Sequence, residues 1–96
     1  MRPSEALSLH RTRIREIALS HRVTGVRVFG SAIRSDDVAG SDLDFLVEPT
    51  AQTTLMDIGA IRFKLKNLPG IEVDVVTAAG LPARLRDQVL RDAIPL

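Results

Sequence analysis

Residues 29–47, FGSAIRSDDVAGSDLDFLV, decide how this chain folds. The stretch reads as the end of one strand, a glycine turn, a polar loop and a second strand over 41–47. Alternation puts Leu43, Phe45 and Val47 on one face of that second strand and Asp42, Asp44 and Leu46 on the other. Aspartate is depleted in strands, and two on one face repel each other. Something lying against that face must offset the repulsion.

Working outward, 23–29 (VTGVRVF) reads as the first strand, with Val26 and Val28 facing one way and Arg27 and Phe29 the other. Gly30 breaks the run, 31–34 form one helical turn, and 35–40 are loop. Before the strand, 4–21 read as a helix whose apolar stripe is Leu7, Ile14, Ile17 and Ala18. Pro3 stops that helix from extending backward, and Ser4 is its expected N-cap. Pro49 ends the second strand. Residues 54–68 read as a helix with Leu55, Ile58, Ile61, Leu65 and Leu68 on one stripe, opened by a Thr54–Asp57 capping box and stopped by Pro69-Gly70. Residues 71–76 (IEVDVV) make a third strand with Ile71, Val73 and Val75 on its apolar face and Glu72, Asp74 and Val76 opposite. A last helix runs from Leu81-Pro82 to about Ala93, with Leu85, Val89 and Leu90 as its buried contacts. The order is α-β-β-α-β-α. The fold class expected is therefore α/β (α+β): a small mixed three-stranded sheet with helices packed on one face. Strands one and two should be antiparallel, and strands two and three parallel across a helical crossover.

At 96 residues the chain is expected to be one domain, 1–96. Apolar residues make up 45%, and the net charge of +1 gives no general push toward nucleic acid or an anionic membrane. Direct nucleic-acid binding is not expected, and the lack of tyrosine and tryptophan weakens any base-stacking platform. Cysteine is absent, which excludes disulfides and thiolate zinc sites. No signal peptide or membrane span is expected, so the chain reads as cytoplasmic.

Asp74 repeats the anomaly of the second strand. With strands two and three adjacent and their apolar faces on the helices, Asp42, Asp44 and Asp74 all point to the other side. Three carboxylates so close cannot all ionise comfortably without a counter-charge. A hard oxygen cluster of this kind suits Mg²⁺ or Mn²⁺, completed by water and substrate phosphate. Gly30 allows a phosphate to approach the backbone. Ser31 adds a hydroxyl and an N–H. Together these parts describe two-metal phosphoryl or nucleotidyl transfer.

Gly30-Ser31, ten residues, then Asp42-x-Asp44 resembles the signature of the DNA polymerase beta nucleotidyltransferase superfamily, and Asp74 in EVDVV resembles its third carboxylate. The short length, GSAIR, SDLDFLV, VDVVT and LPARLRDQVLRDAI are most similar to the minimal nucleotidyltransferases, over about residues 23–93. The resemblance implies the nucleotidyltransferase fold. It also implies that Asp42, Asp44 and Asp74 are the catalytic, metal-binding residues, with Asp74 helping to deprotonate the acceptor. Gly30 and Ser31 would bind the triphosphate of ATP, with Arg34 as a further phosphate contact. It implies a HEPN-type ribonuclease toxin as partner, neutralised by transfer of AMP to a tyrosine. The short chain leaves little for an acceptor-binding domain, so the acceptor is expected from another protein. Two alternatives stay open. One is an antitoxin that acts by binding alone. The other is a subunit of a two-chain transferase for a small molecule such as an aminoglycoside.

The remaining polar residues read as ordinary structure. Asp36 and Asp37 are expected to form turns. His10 and His21 are helix-face residues. Arg11, Arg15 and Arg22, like Arg84, Arg86 and Arg91, mark solvated faces, or on a sharper reading a surface for docking an acidic partner.

Overall fold

The computed structural model describes residues 2–34, 36–68 and 72–96. Ser35, the Pro69-Gly70 stop and Ile71 lie outside the described residues. The elements run α1 (Pro3–Leu19), β1 (Val23–Phe29), α2 (Ser31–Arg34), β2 (Asp42–Pro49), α3 (Leu55–Lys66), β3 (Glu72–Val76), a 3₁₀ turn (Ala78–Gly80), α4 (Ala83–Asp92) and β4 (Ile94–Pro95). The sheet order is β3-β2-β1-β4. β1 pairs antiparallel with β2, and β2 parallel with β3, as the connections require.

The sheet has four strands, not three. The extra one is the short C-terminal β4, antiparallel to β1 through Arg27↔Pro95 and Val28↔Ile94. Leu96 N donates to Val26 O at 3.1 Å, and Arg11 Nη2 on α1 donates to Pro95 O at 3.1 Å. Arg11 therefore anchors the chain end as well as standing on a charged face. A proline in a strand reads as a terminator, but on an edge its missing N–H can face solvent without loss.

The core lies between one face of the sheet and α1 with α3. Ile14, Leu43, Phe45, Ile61 and Leu65 are fully buried there, as are Val28 and Val47 to within 1%. Leu7, Ile17 and Ala18 join them from α1 as their spacing predicts. Two stripes need correction. Leu55 is 90% exposed, because as the first residue of α3 it sits a quarter-turn off the line of Ile58, Ile61 and Leu65. α4 buries none of its residues: Leu85 is 42% and Leu90 38% exposed. α4 does not join the α1/α3 layer; it faces Phe29 on the opposite side of the sheet.

The caps also divide between confirmation and correction. Thr54 Oγ1 accepts from Asp57 N at 3.3 Å, while Asp57 Oδ2 accepts from Thr54 N at 2.9 Å, which is the capping box of α3. α1 starts one residue early, with Pro3 at its first position and Glu5 Oε1 accepting from Arg2 N at 3.1 Å. Ser4 is therefore inside the helix. Its N–H donates to Asp37 Oδ2 at 2.7 Å.

Asp37 is thus a cap supplied from 33 residues away, and it ties the loop before β2 to the start of α1. The Ser4 backbone N–H on its carboxylate holds Asp37 below the usual carboxylate range. A depressed pKa means stability present above that range and lost as the pH falls through the lowered value. Asp37→Ala is expected to lower the melting temperature at neutral pH and to match the parent in strong acid. Thermal unfolding followed by circular dichroism at both ends checks it; an equal deficit throughout would count against the carboxylate.

No described helix is long and apolar enough to cross a membrane.

Candidate active site

The parallel register of β2 and β3 sets Asp42 beside Glu72, Leu43 beside Val73 and Asp44 beside Asp74. Alternation then sends Leu43, Phe45, Val73 and Val75 into the core, and Asp42, Asp44 and Asp74 out of the opposite face. Asp42 and Asp74 are exposed and Asp44 is half-buried. Neither acidic strand turns a carboxylate into the apolar interior. Among the described residues no group of three histidine, cysteine or acidic side chains is placed so that it could hold a metal ion. The strand register places Asp44 beside Asp74, with Asp42 two residues along the same strand face.

The Asp44 carboxyl feels the charge of both other acids. Burial, then the charge of Asp74, then that of Asp42 push the Asp44 carboxyl up to about 6, and Arg34 opposes the rise. Burial and two like-charged neighbours disfavour the ionised carboxylate, and a hard divalent cation is the kind of counter-charge that relieves such a group.

The turn after β1 completes the site. Phe29 pairs with Asp44 across β1 and β2, so Gly30 comes next to the central acid. Gly30 has φ +84°, and a Cβ placed there would stand 2.6 Å from Asp44 Oδ2. From the sequence, this glycine is expected to admit an approaching phosphate. In the structure its first role is to leave room for Asp44. Ser31 opens the four-residue α2, with Ile33 N donating back to Gly30 O at 3.2 Å. Arg34 closes α2; its exposed Nε lies 3.5 Å from Asp36 Oδ2. Gly30 and the charge of Arg34 thus lie near Asp44, which Asp74 flanks on the next strand.

Two imidazoles stand apart from it. His10 and His21 belong to α1 and the turn after it, and His21 Nε2 lies 2.8 Å from Lys64 Nζ on α3. The surroundings of Gly30 hold a feature that the Gly-Ser motif alone does not disclose. A cleft of about 190 Å³ opens beside it, walled by Phe29, Ile33 and Arg34 on one side and by α4 on the other. The signal was present: the α4 residues 85, 88, 89 and 92 recur at one helical stripe yet mix apolar with polar side chains.

Residues 7–96 match the model of the nucleotidyltransferase domain, and the chain belongs to that family of transferases. It is 35% identical to a protein of Methanocaldococcus jannaschii provisionally named a protein adenylyltransferase, over 81% of this chain and 84% of that one. It is 30% identical to the protein adenylyltransferase MntA of Thermococcus cleftensis, over 92% and 86%. Among solved structures, one described provisionally as a minimal nucleotidyltransferase superposes with a TM-score of 0.84 at 42% identity, covering 97% of this chain and 95% of that one. A toxin–antitoxin complex with AMP-PNP shares the fold at a TM-score of 0.70 and 18% identity, over 83% and 66%.

Proposed function

We propose that this protein is an antitoxin-type protein adenylyltransferase, which moves AMP from ATP onto a hydroxyl of a partner HEPN ribonuclease toxin, a tyrosine in the first instance. The observation that carries the reading is the pairing of Asp44 with Asp74 on adjacent strands, beside Asp42 and over Gly30, on the face the core does not use. Two relatives named as protein adenylyltransferases and a fold neighbour that is a toxin–antitoxin complex support it. The reading puts the reaction in the cytoplasm.

Asp42, Asp44 and Asp74 would hold two Mg²⁺ (or Mn²⁺) ions, which when bound neutralise the phosphates and acidify the acceptor hydroxyl. The chain's own residues do the rest. Gly30 and Ser31 present backbone and a hydroxyl to the triphosphate, and Arg34 offers a guanidinium to a phosphate oxygen. Asp74, exposed beside Asp44, takes the acceptor proton. The acceptor oxygen then forms a bond to the α-phosphorus as the bond to pyrophosphate breaks. AMP ends as an ester on the partner, and pyrophosphate leaves.

The test is incubation with the partner toxin, ATP labelled at the α-phosphate and Mg²⁺. Label is expected on the toxin, mapped by mass spectrometry to a tyrosine, and lost with a chelator. Asp42→Ala combined with Asp44→Ala should abolish both labelling and neutralisation. Neutralisation that survives in the double variant would leave an antitoxin acting by binding alone; label found only on a small-molecule acceptor would overturn the protein target.

A further inference from the structure

α3 is apolar on two opposite sides. Ile58, Ile61 and Leu65 turn to the core. Met56, Gly59 and Phe63 recur at helical spacing on the far side, with Leu55 beside them, and that side is open to solvent: Met56 is 84% and Phe63 69% exposed. A helix that is apolar all round normally has a cover on each side. Gly59 is an independent sign of one. A glycine inside a helix weakens it. Yet a Cβ built at Gly59 would meet nothing within 4 Å, so no described neighbour requires the bare backbone. What the glycine leaves is a notch between Met56 and Phe63, of the kind that receives a side chain from an opposing helix.

The rim says what kind of cover. Arg62 and Lys66 run along one side of the stripe. Along the other are Lys64 and, across a groove of about 450 Å³ between α3 and α1, Arg13. Asn67, one turn on from Phe63, lines the same groove, so stripe and groove are continuous. Glu16 and Glu72 stand at the edge, 3.5 Å from Arg13 and 3.7 Å from Lys66, and the cations outnumber them. A second copy docked about a two-fold axis would set this basic rim against itself. A flat bilayer would reach the ridge and leave the groove unfilled. An apolar ridge flanked by acids matches both the shape and the charge.

We infer that the outer face of α3 is a docking surface for an acidic amphipathic helix of a partner protein. That helix lays its apolar face on Met56 and Phe63, sets one side chain into the notch at Gly59 and aligns its acids with the basic rim. The surface lies across the sheet from Asp42, Asp44 and Asp74, so an occupant leaves the candidate active site open. The inference stands apart from the reaction proposed above.

The probe is a fluorescent synthetic helix of about 20 residues, with leucine at every third or fourth position and glutamate on both flanks. A second peptide carries lysine in place of glutamate, and binding to the full chain is followed by anisotropy. The parent is expected to bind the glutamate peptide about tenfold more tightly than the lysine peptide, and less tightly as salt rises. Gly59→Leu fills the notch and replaces a poor helix former by a good one. It should raise the melting temperature and weaken binding about tenfold. Phe63→Ser, at an exposed position, should weaken binding as much while the protein still folds. Arg62→Glu with Lys64→Glu should reverse the preference between the peptides. Failure of the parent to bind the glutamate peptide, or binding that survives both Gly59→Leu and Phe63→Ser, would overturn the docking surface. So would Phe63-dependent cosedimentation with phosphatidylglycerol vesicles in place of peptide binding, which puts this face on a membrane. A Phe63-dependent dimer in sedimentation velocity would overturn it too, by putting a second copy there.

Discussion

Gly30→Ala is expected to lower AMP transfer by about 100-fold or more while the protein still folds. The added Cβ would stand 2.6 Å from Asp44 Oδ2, a separation that real contacts do not show. What can move is the carboxylate, since it ends a short rotatable side chain. Relief therefore comes at a carboxylate that the proposed mechanism uses, and a displacement of about 1 Å at such a group costs about 100-fold. Stability should fall by only about 1–2 kcal/mol, the cost of a left-handed backbone for a residue with a side chain. Gly40→Ala is the control. It has φ +92° but nothing within 4 Å of its Cβ, so it carries the same backbone strain without the collision. Gly40→Ala should keep near-parental turnover. Full activity in Gly30→Ala, or an equal loss in Gly40→Ala, would refute the packing argument.

The core was legible because it follows period. Leu43, Phe45 and Val47 alternate, and Ile61 and Leu65 recur at helical spacing, so burial follows from geometry alone. Misreadings fell where period is uninformative. Leu55 is apolar and begins a helix, but a first-turn residue can project sideways into solvent. Leu85 and Val89 mark an amphipathic helix correctly, yet periodicity does not reveal whether that face meets the core or a cleft. β4 is two residues long, too short to carry a period, and its pairing depends on the Arg11 and Val26 contacts made far away in sequence.

The acids were legible for a different reason: they break the local rule. An aspartate in a strand is a cost, and three of them on converging strands imply a shared reason. Register was not readable in the same way. That Asp44 stands opposite Asp74, and not opposite Glu72, is decided by how the α3 crossover delivers β3. Asp37 shows the limit of the turn-residue reading. Beside Gly40 and Ser41 it resembles any loop acid, and only the fold discloses that its carboxylate caps α1.

Asp44→Asn should make the metal-free protein more stable at neutral pH while removing transfer. Burial and the charges of Asp74 and Asp42 push the Asp44 carboxyl up to about 6, well above its ordinary value. A raised folded-state pKa means that the folded form holds the proton more tightly than the unfolded chain. The stabilisation is complete below the ordinary carboxylate pKa and is lost as the pH rises through about 6. At neutral pH the ionised acid is thus a burden on the fold. A shift of this size sets a ceiling of about 3 kcal/mol, and solvent around a half-exposed group reduces it to about 1 kcal/mol. Asparagine keeps the shape and cannot ionise, so in chelator-treated buffer it should melt higher than the parent above about pH 6 and converge with it below about pH 4. On the proposed two-metal mechanism transfer should fall by about 100- to 1000-fold, since a metal held by Asp44 would supply several kcal/mol of charge stabilisation at the phosphates. A gain in stability with a loss of function is the mark of a group kept for chemistry. An Asp44→Asn protein less stable than its parent at neutral pH would show that the acid serves the fold, and would remove the physical basis for reading this face as an active site.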